Sequence, residues 1–198
     1  MSTLALILEF VFGLACLLFV ARFLLQAAQA DFYNPLSQAI VKASDPICKP
    51  LRTIIKPIRN FDLASLLVAW LIAALHFVIL FGPSINAIGI ILWLGLVDTL
   101  LTIVQFYIFS IFIIVIASFL MAGQMHPALA LIHQLIEPVM APFRKVIPPF
   151  GPLDLTPMVV LLILFIVQNG LRQAADTRPA HSVSRDAPSA SVPCVPAT

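Results

Sequence analysis

The sequence predicts an all-α membrane protein. Four transmembrane helices form two tandem helical hairpins, each with a proline-rich amphipathic interfacial segment between its spans. Three observations predict this. The chain is 61% hydrophobic and 10% charged, with a mean hydropathy of +1.06, whereas a soluble domain carries about 25% charged residues; lipid must therefore cover much of the surface. Apolar runs long enough to cross a bilayer recur along the chain. The polar segment following the first run also returns, in register, at an offset of 92 residues.

That repeat is the most informative feature. Asp45-Pro46 falls on Glu137-Pro138, Pro50 on Pro142, Arg52 on Arg144, Pro57 on Pro149, and Asp62-Leu63 on Asp154-Leu155. Upstream, Asn34-Pro35 falls on His126-Pro127. Ungapped prolines, an arginine and acids in register mark an internal tandem repeat. Within it, Ile47, Leu51, Ile54, Ile55 and Ile58 occupy one helical face, kept in the second copy as Val139, Phe143, Val146, Ile147 and Phe150. Lys49, Arg52, Lys56 and Arg59 recur on another side. An apolar stripe beside a basic one suits a helix lying in a membrane interface. Prolines divide the stretch, which predicts a short helix or two single-turn pieces, with Pro50 and Pro142 in first helical turns.

In chain order, Leu4–Ala30 is the first span. It contains Glu9 and Arg22, the latter placed to snorkel from one end. Ala28-Gln29-Ala30 resembles a signal-peptide cleavage site, but the start lacks Lys or Arg and the apolar run is too long for one. The basic loop occupies 31–61. Asp62 then has the position of an N-cap for the second span, Leu63–Phe81, which ends at Gly82-Pro83. Residues 1–81 thus make the first repeat.

The stretch 85–122 exceeds one ordinary span of about 20 residues. It reads either as two spans joined at Asp98-Thr99, or as an interfacial lead-in (82–97) followed by one span (98–122). Charge arbitrates. With four spans both repeat loops share one face and collect Lys42, Lys49, Arg52, Lys56, Arg59, Arg144 and Lys145, whereas five spans would split them against the positive-inside tendency. The second repeat is then 98–171, with its last span at 155–171 and Asp154 as the second cap. Residues 172–198 have a composition of Ala, Ser, Pro and scattered charge that predicts a disordered tail. The same count predicts a multi-pass protein with the repeat loops cytoplasmic and both termini on the opposite side, which is the periplasmic side if the membrane is a bacterial inner membrane.

No phosphate-binding, dinucleotide-binding, zinc-protease or nucleophile-elbow motif is present, and nothing points to an enzyme, a cofactor or a nucleic-acid partner. Cys16, Cys48 and Cys194 are far apart and make no metal set. His126 and His133 lack an acid or cysteine to complete one. Asp62 and Asp154 form a symmetry-related pair that would bind an ion at a repeat interface or cap helices, with capping favoured. His76 lies inside the second span, where a lone histidine commonly bonds a neighbouring carbonyl; no second axial ligand is apparent for haem. Asp98, a lone acid in an apolar run, marks a water boundary in this reading.

Taken together, Asn34-Pro35, Asp45-Pro46, Pro50 and Arg52, with their second-copy partners Glu137-Pro138, Pro142, Arg144, Pro148-Pro149, Gly151, Asp154 and Thr156-Pro157, closely resemble the YggT family of small bacterial and plastid membrane proteins. The resemblance covers roughly 20–74 and 112–167. The first copy departs from the pattern at Lys56, Asn60-Phe61 and Ala64-Ser65, and the second lacks an arginine matching Arg22. For plastid relatives, the resemblance implies haem attachment to a b-type cytochrome and nucleoid distribution or division. For bacterial ones it implies osmotic tolerance, ion uptake and division-site organisation. It carries over no catalytic residue.

The expected function is a non-enzymatic membrane organiser or assembly factor linked to osmotic tolerance or cell division. Lys49, Arg52, Lys56, Arg59, Arg144 and Lys145 would meet anionic head groups or a membrane-protein partner, including a second copy of the chain. Arg52 and Arg144 are the leading candidates. The alternative is a small ion or solute channel or transporter subunit, for which Asp62 and Asp154 are the residues to test.

Overall fold

The computed structural model describes residues 3–54, 62–82, 88–120, 126–146 and 156–183. These form six helices: α1 (Thr3–Ala27), α2 (Pro35–Ile54), α3 (Leu63–Phe81), α4 (Ile88–Leu120), α5 (Pro127–Val146) and α6 (Thr156–Val183). Among the described residues, four stretches are long and apolar enough to cross a membrane: Leu6–Ala27, Leu63–Leu80, Ile88–Ser118 and Thr156–Asp176. They lie on α1, α3, α4 and α6.

Two hairpins result. In the first, α1 and α3 are antiparallel: Phe12 stacks on His76 at one end, Cys16 approaches the Ala69 carbonyl midway, and Arg22 meets Asp62 at the other. In the second, α4 and α6 are antiparallel, with Ile111 and Val160 in one core cluster and Trp93 Nε1 donating to the Ala174 carbonyl at 3.4 Å. α3 joins the hairpins through α4. A side chain at Gly95 would come within 2.8 Å of the Ala74 backbone nitrogen, so glycine is required for this close crossing.

α2 and α5 lie at the same end of the bundle. The Asp31 N–H donates to Gln134 Oε1 at 2.8 Å, and Asn34 Nδ2 donates to the Pro127 carbonyl at 2.7 Å. Both helices have equivalent starts. Asn34 Oδ1 accepts from the Leu36 N–H (3.0 Å) and His126 Nδ1 from the Ala128 N–H (3.2 Å), each residue capping a helix whose first residue is proline.

Several expectations change. α2 and α5 are single 20-residue helices carrying Pro46 and Pro50, and Pro138 and Pro142, in their interiors. The first-turn prolines are Pro35 and Pro127, not Pro50 and Pro142. α4 is one helix of 33 residues that passes Asp98 without a break. Neither a second span nor a separate lead-in helix interrupts it there. At 1.5 Å per residue it is ~50 Å long, more than the ~30 Å hydrocarbon core, so it tilts or projects from the bilayer. α6 continues through Val183, where a disordered tail was expected from residue 172; the Trp93 bond to Ala174 ties this extension to α4.

Candidate functional site

The site begins with an arginine in an apolar helix. Arg22 on α1 is 2% exposed, which excludes snorkelling to water. It turns inward instead. Its Nη1 donates to Ser44 Oγ (2.7 Å) and to the Val41 carbonyl (2.9 Å), and its Nη2 lies 2.8 Å from Asp45 Oδ1. These partners all sit on α2, in the turn before Pro46. There proline removes the N–H that would have bonded the Lys42 carbonyl, and the neighbouring Val41 carbonyl takes the guanidinium. A charge at this depth must be paired; of the Arg22 guanidinium nitrogens, Nε is buried without a hydrogen-bond partner.

Asp62 completes the network from the foot of α3, with its side chain 0% exposed. Its carboxylate accepts from Arg52 Nη2 and, at 2.5 Å, from Ser65 Oγ; Arg22 Nε lies 3.5 Å away. Arg52 Nη2 also donates to Gln26 Oε1 at 2.8 Å, tying α2 back to α1. Asp62 does stand at the N-cap position, and its backbone carbonyl accepts from Ser65 and Leu66. Its side chain makes no cap hydrogen bond, so the favoured capping role is corrected: the carboxylate neutralises arginines. Burial alone would raise this carboxyl. The hydrogen bonds from Arg52 and Ser65 and the charges of Arg52 and Arg22 outweigh it and hold the group below the usual carboxylate range. Hydrogen bonds from Lys49 and Arg22 hold Asp45 low as well.

α2 therefore presents a small, polar face to the bundle. Ser37, Ser44 and Cys48 are fully buried, while Ile47, expected on the apolar stripe, is 48% exposed at the outside. Leu51 from the same stripe packs against the core.

The second copy is built differently. At the offset of 92, Arg22, Ser44, Cys48 and Val68 correspond to Ile114, Ile136, Met140 and Val160. These four belong to, or pack against, one apolar cluster with Ile111 and Phe143. Arg144 bonds Glu137 at 3.0 Å on an exposed surface. The repeat thus carries a buried ion network in one hairpin and an oily core in the other.

The expected surface cations are distributed accordingly. Lys49 is exposed and pairs with Asp45 at 2.9 Å. Arg52 points into the network, not toward head groups, because two acceptors (Asp62 and Gln26) fix its guanidinium there. Arg144 and Lys145 are exposed on α5. Lys56, Arg59 and Asp154 lie outside the described residues. Sequence reasoning did not find Gln26, Ser44 and Ser65, and it misplaced Arg22. One signal pointed to the network: an arginine in an apolar run, facing an isoleucine in the other copy.

His76 lies apart from this network. Its ring stacks on Phe12 with centroids 5.4 Å apart, and its Nε2 is buried without a hydrogen-bond partner, contrary to the expected carbonyl bond. Among the described residues, no group of three His, Cys, Asp or Glu side chains is arranged to hold a metal ion.

Two hairpins bearing equivalent Pro-initiated amphipathic helices match a known pattern. The CCB3/YggT family profile covers residues 1–82 and 93–175, that is, both repeats. The chain belongs to the CCB3/YggT family. This YggT-family chain is 38% identical over 170 residues to the "Uncharacterized protein in proC 3'region" of Vibrio alginolyticus, covering 84% of this chain and 89% of that one. It is 36% identical over 169 residues to an uncharacterized protein of Haemophilus influenzae, covering 85% and 91%. It is also 34% identical over 173 residues to the uncharacterized protein YggT of Escherichia coli K12, covering 87% and 91%. No solved structure matches the chain.

Proposed function

We propose that this YggT-family protein is a non-enzymatic organiser or assembly factor of the bacterial inner membrane, acting in osmotic tolerance or cell division through a basic amphipathic platform. One observation carries the reading: α2 and α5 stand at the same end of the bundle, where the segment leading into α2 bonds α5 through Asp31–Gln134 and Asn34–Pro127. Ile47, Leu36 and Phe32 face outward there beside Lys42 and Lys49, and Arg144 and Lys145 are exposed on α5. Apolar side chains enter the head-group layer, and cations near an anionic leaflet contribute about 1 kcal/mol each. With the platform cytoplasmic, a membrane-protein partner or a second copy docks on this face.

The test is replacement of Lys49, Arg144 and Lys145 by Gln, with Arg52 left intact because it holds the fold. The variant keeps its melting temperature, loses most of its co-purifying anionic lipid and gives fewer in-membrane crosslinks from α2 and α5. Unchanged lipid content and crosslinks, with the protein folded, would show that the platform is not the working surface.

A further inference from the structure

A second feature of the bundle is unrelated to the platform. Between α1, α3 and α4 lies a cavity of about 840 Å³, open on one side. That is within the range of small-molecule sites, roughly 300–1,000 Å³, and far larger than a bare ion requires. Its ionisable groups are confined to one end: Glu9, His76 and Asp98 lie toward the end of the bundle that holds the N-terminus of α1, beside Phe12 and Phe77. Phe106, Phe109, Ile113 and Ile132 line the other end, under α5, together with the uncharged Gln105 and Ser110. From Asp98 to Ile113 the cavity follows α4 for ~22 Å.

Ionisable side chains at membrane depth are costly and are normally paired. Among the described residues Asp98 makes no ion pair and has the His76 ring as an electrostatic neighbour, while His76 Nε2 is buried without a hydrogen-bond partner; Glu9 is exposed near the start of its span. The lining holds two carboxylates and no Lys or Arg. Phe12 and Phe77, also in the wall, pack against His76, Phe12 stacked on its ring and Phe77 tilted to it. Gly13 leaves part of the wall bare, with nothing within 4 Å of where its Cβ would be.

We infer that this cavity binds an amphiphile with a cationic amine head and a hydrocarbon tail, the head between Glu9 and Asp98 and the tail along Phe106, Phe109 and Ile113. Two sources supply such an amine: an amine-bearing membrane lipid or a soluble lipophilic cation. The shared chemistry is an ammonium group on a chain.

The experiment uses the full-length protein in nanodiscs of zwitterionic phosphatidylcholine. The probe is an alkyltrimethylammonium with a diazirine in its twelve-carbon tail. Its counterpart is the alkyl sulfate with the same tail and diazirine. The ammonium probe labels α4 within Phe106–Ile113 saturably and is displaced by excess unlabelled dodecyltrimethylammonium. Labelling falls at least tenfold in Glu9→Gln/Asp98→Asn and in Gly13→Leu, whose Cβ enters open space. Displacement by phosphatidylethanolamine added to the disc assigns the site to lipid; displacement only by the soluble cation assigns it to a solute. Equal labelling by the sulfate, or labelling indifferent to both variants at an unchanged melting temperature, overturns the inference and leaves an acyl-chain crevice.

Discussion

Arg22 on the first span and Asp62 at the foot of the second face each other at 3.5 Å, with side chains 3% and 0% exposed, and nothing equivalent to Arg22 exists in the second repeat. The pair and its neighbours Asp45, Ser44, Arg52, Gln26 and Ser65 fasten α2 to the first hairpin. α5 is held instead by apolar packing against Ile111 and Val160.

An acid of the first repeat's network and an acid of the second repeat's surface should therefore differ sharply in their effect on stability. Asp62→Asn leaves Arg22 and Arg52 without their shared carboxylate, and breaking a buried pair from one side costs about 3–5 kcal/mol. Glu137→Gln breaks only an exposed pair and stays within about 1 kcal/mol. Thermal unfolding of the two variants in one detergent checks this; equal shifts would deny the asymmetry.

The network also sets an acid limit. Asp62 and Asp45 have folded-state pKa values below the ordinary carboxylate value of 3.8. A depressed pKa gives stability that is complete above the unfolded value and is lost as pH falls through the folded one. The melting temperature should be flat near neutrality and drop below about pH 4. In Asp62→Asn it starts lower and the acid-side drop is shallower. A parallel fall in both proteins would remove Asp62 from the account.

Gly95 and Gly89 give a second contrast, both on α4. A methyl at Gly95 meets the Ala74 nitrogen and Cα at 2.8 and 2.9 Å, so Gly95→Ala forces α3 and α4 apart and costs about 1–3 kcal/mol. Gly89 has nothing within 4 Å, and Gly89→Ala is neutral or stabilising by up to about 1 kcal/mol from helix propensity alone. Melting temperatures that move the same way for both would contradict the close crossing.

How much of this was legible depends on range. The four apolar spans and the shared side of the repeat loops follow from local composition and charge, and α1, α3, α4 and α6 occupy those runs. The interior of α2 was not legible. Proline rules favour a break at Pro46 and Pro50, yet the helix continues through both; Arg22 and Ser44 bond the Val41 and Ile40 carbonyls in the turn before Pro46. The apolar stripe read at Ile47 turned out to be the outer face, since Ser37, Ser44 and Cys48 let α2 approach the bundle closely. Arg22 was misread because snorkelling is a local argument, whereas its partners Asp45 and Asp62 come from two other helices. The break expected at Asp98 rested on one acid, which α4 accommodates in a cavity wall without interrupting its backbone.

The platform stands or falls on the sidedness of α2 and α5. Single cysteines at Tyr33, 90% exposed before α2, and at His133, exposed on α5, give handles on both. Cys194 is replaced by Ser, while Cys16 and Cys48 are buried and remain. A membrane-impermeant maleimide should label Tyr33→Cys and His133→Cys in inside-out vesicles and neither in right-side-out ones. Labelling of the two positions from opposite sides would place α2 and α5 on different faces and contradict the account.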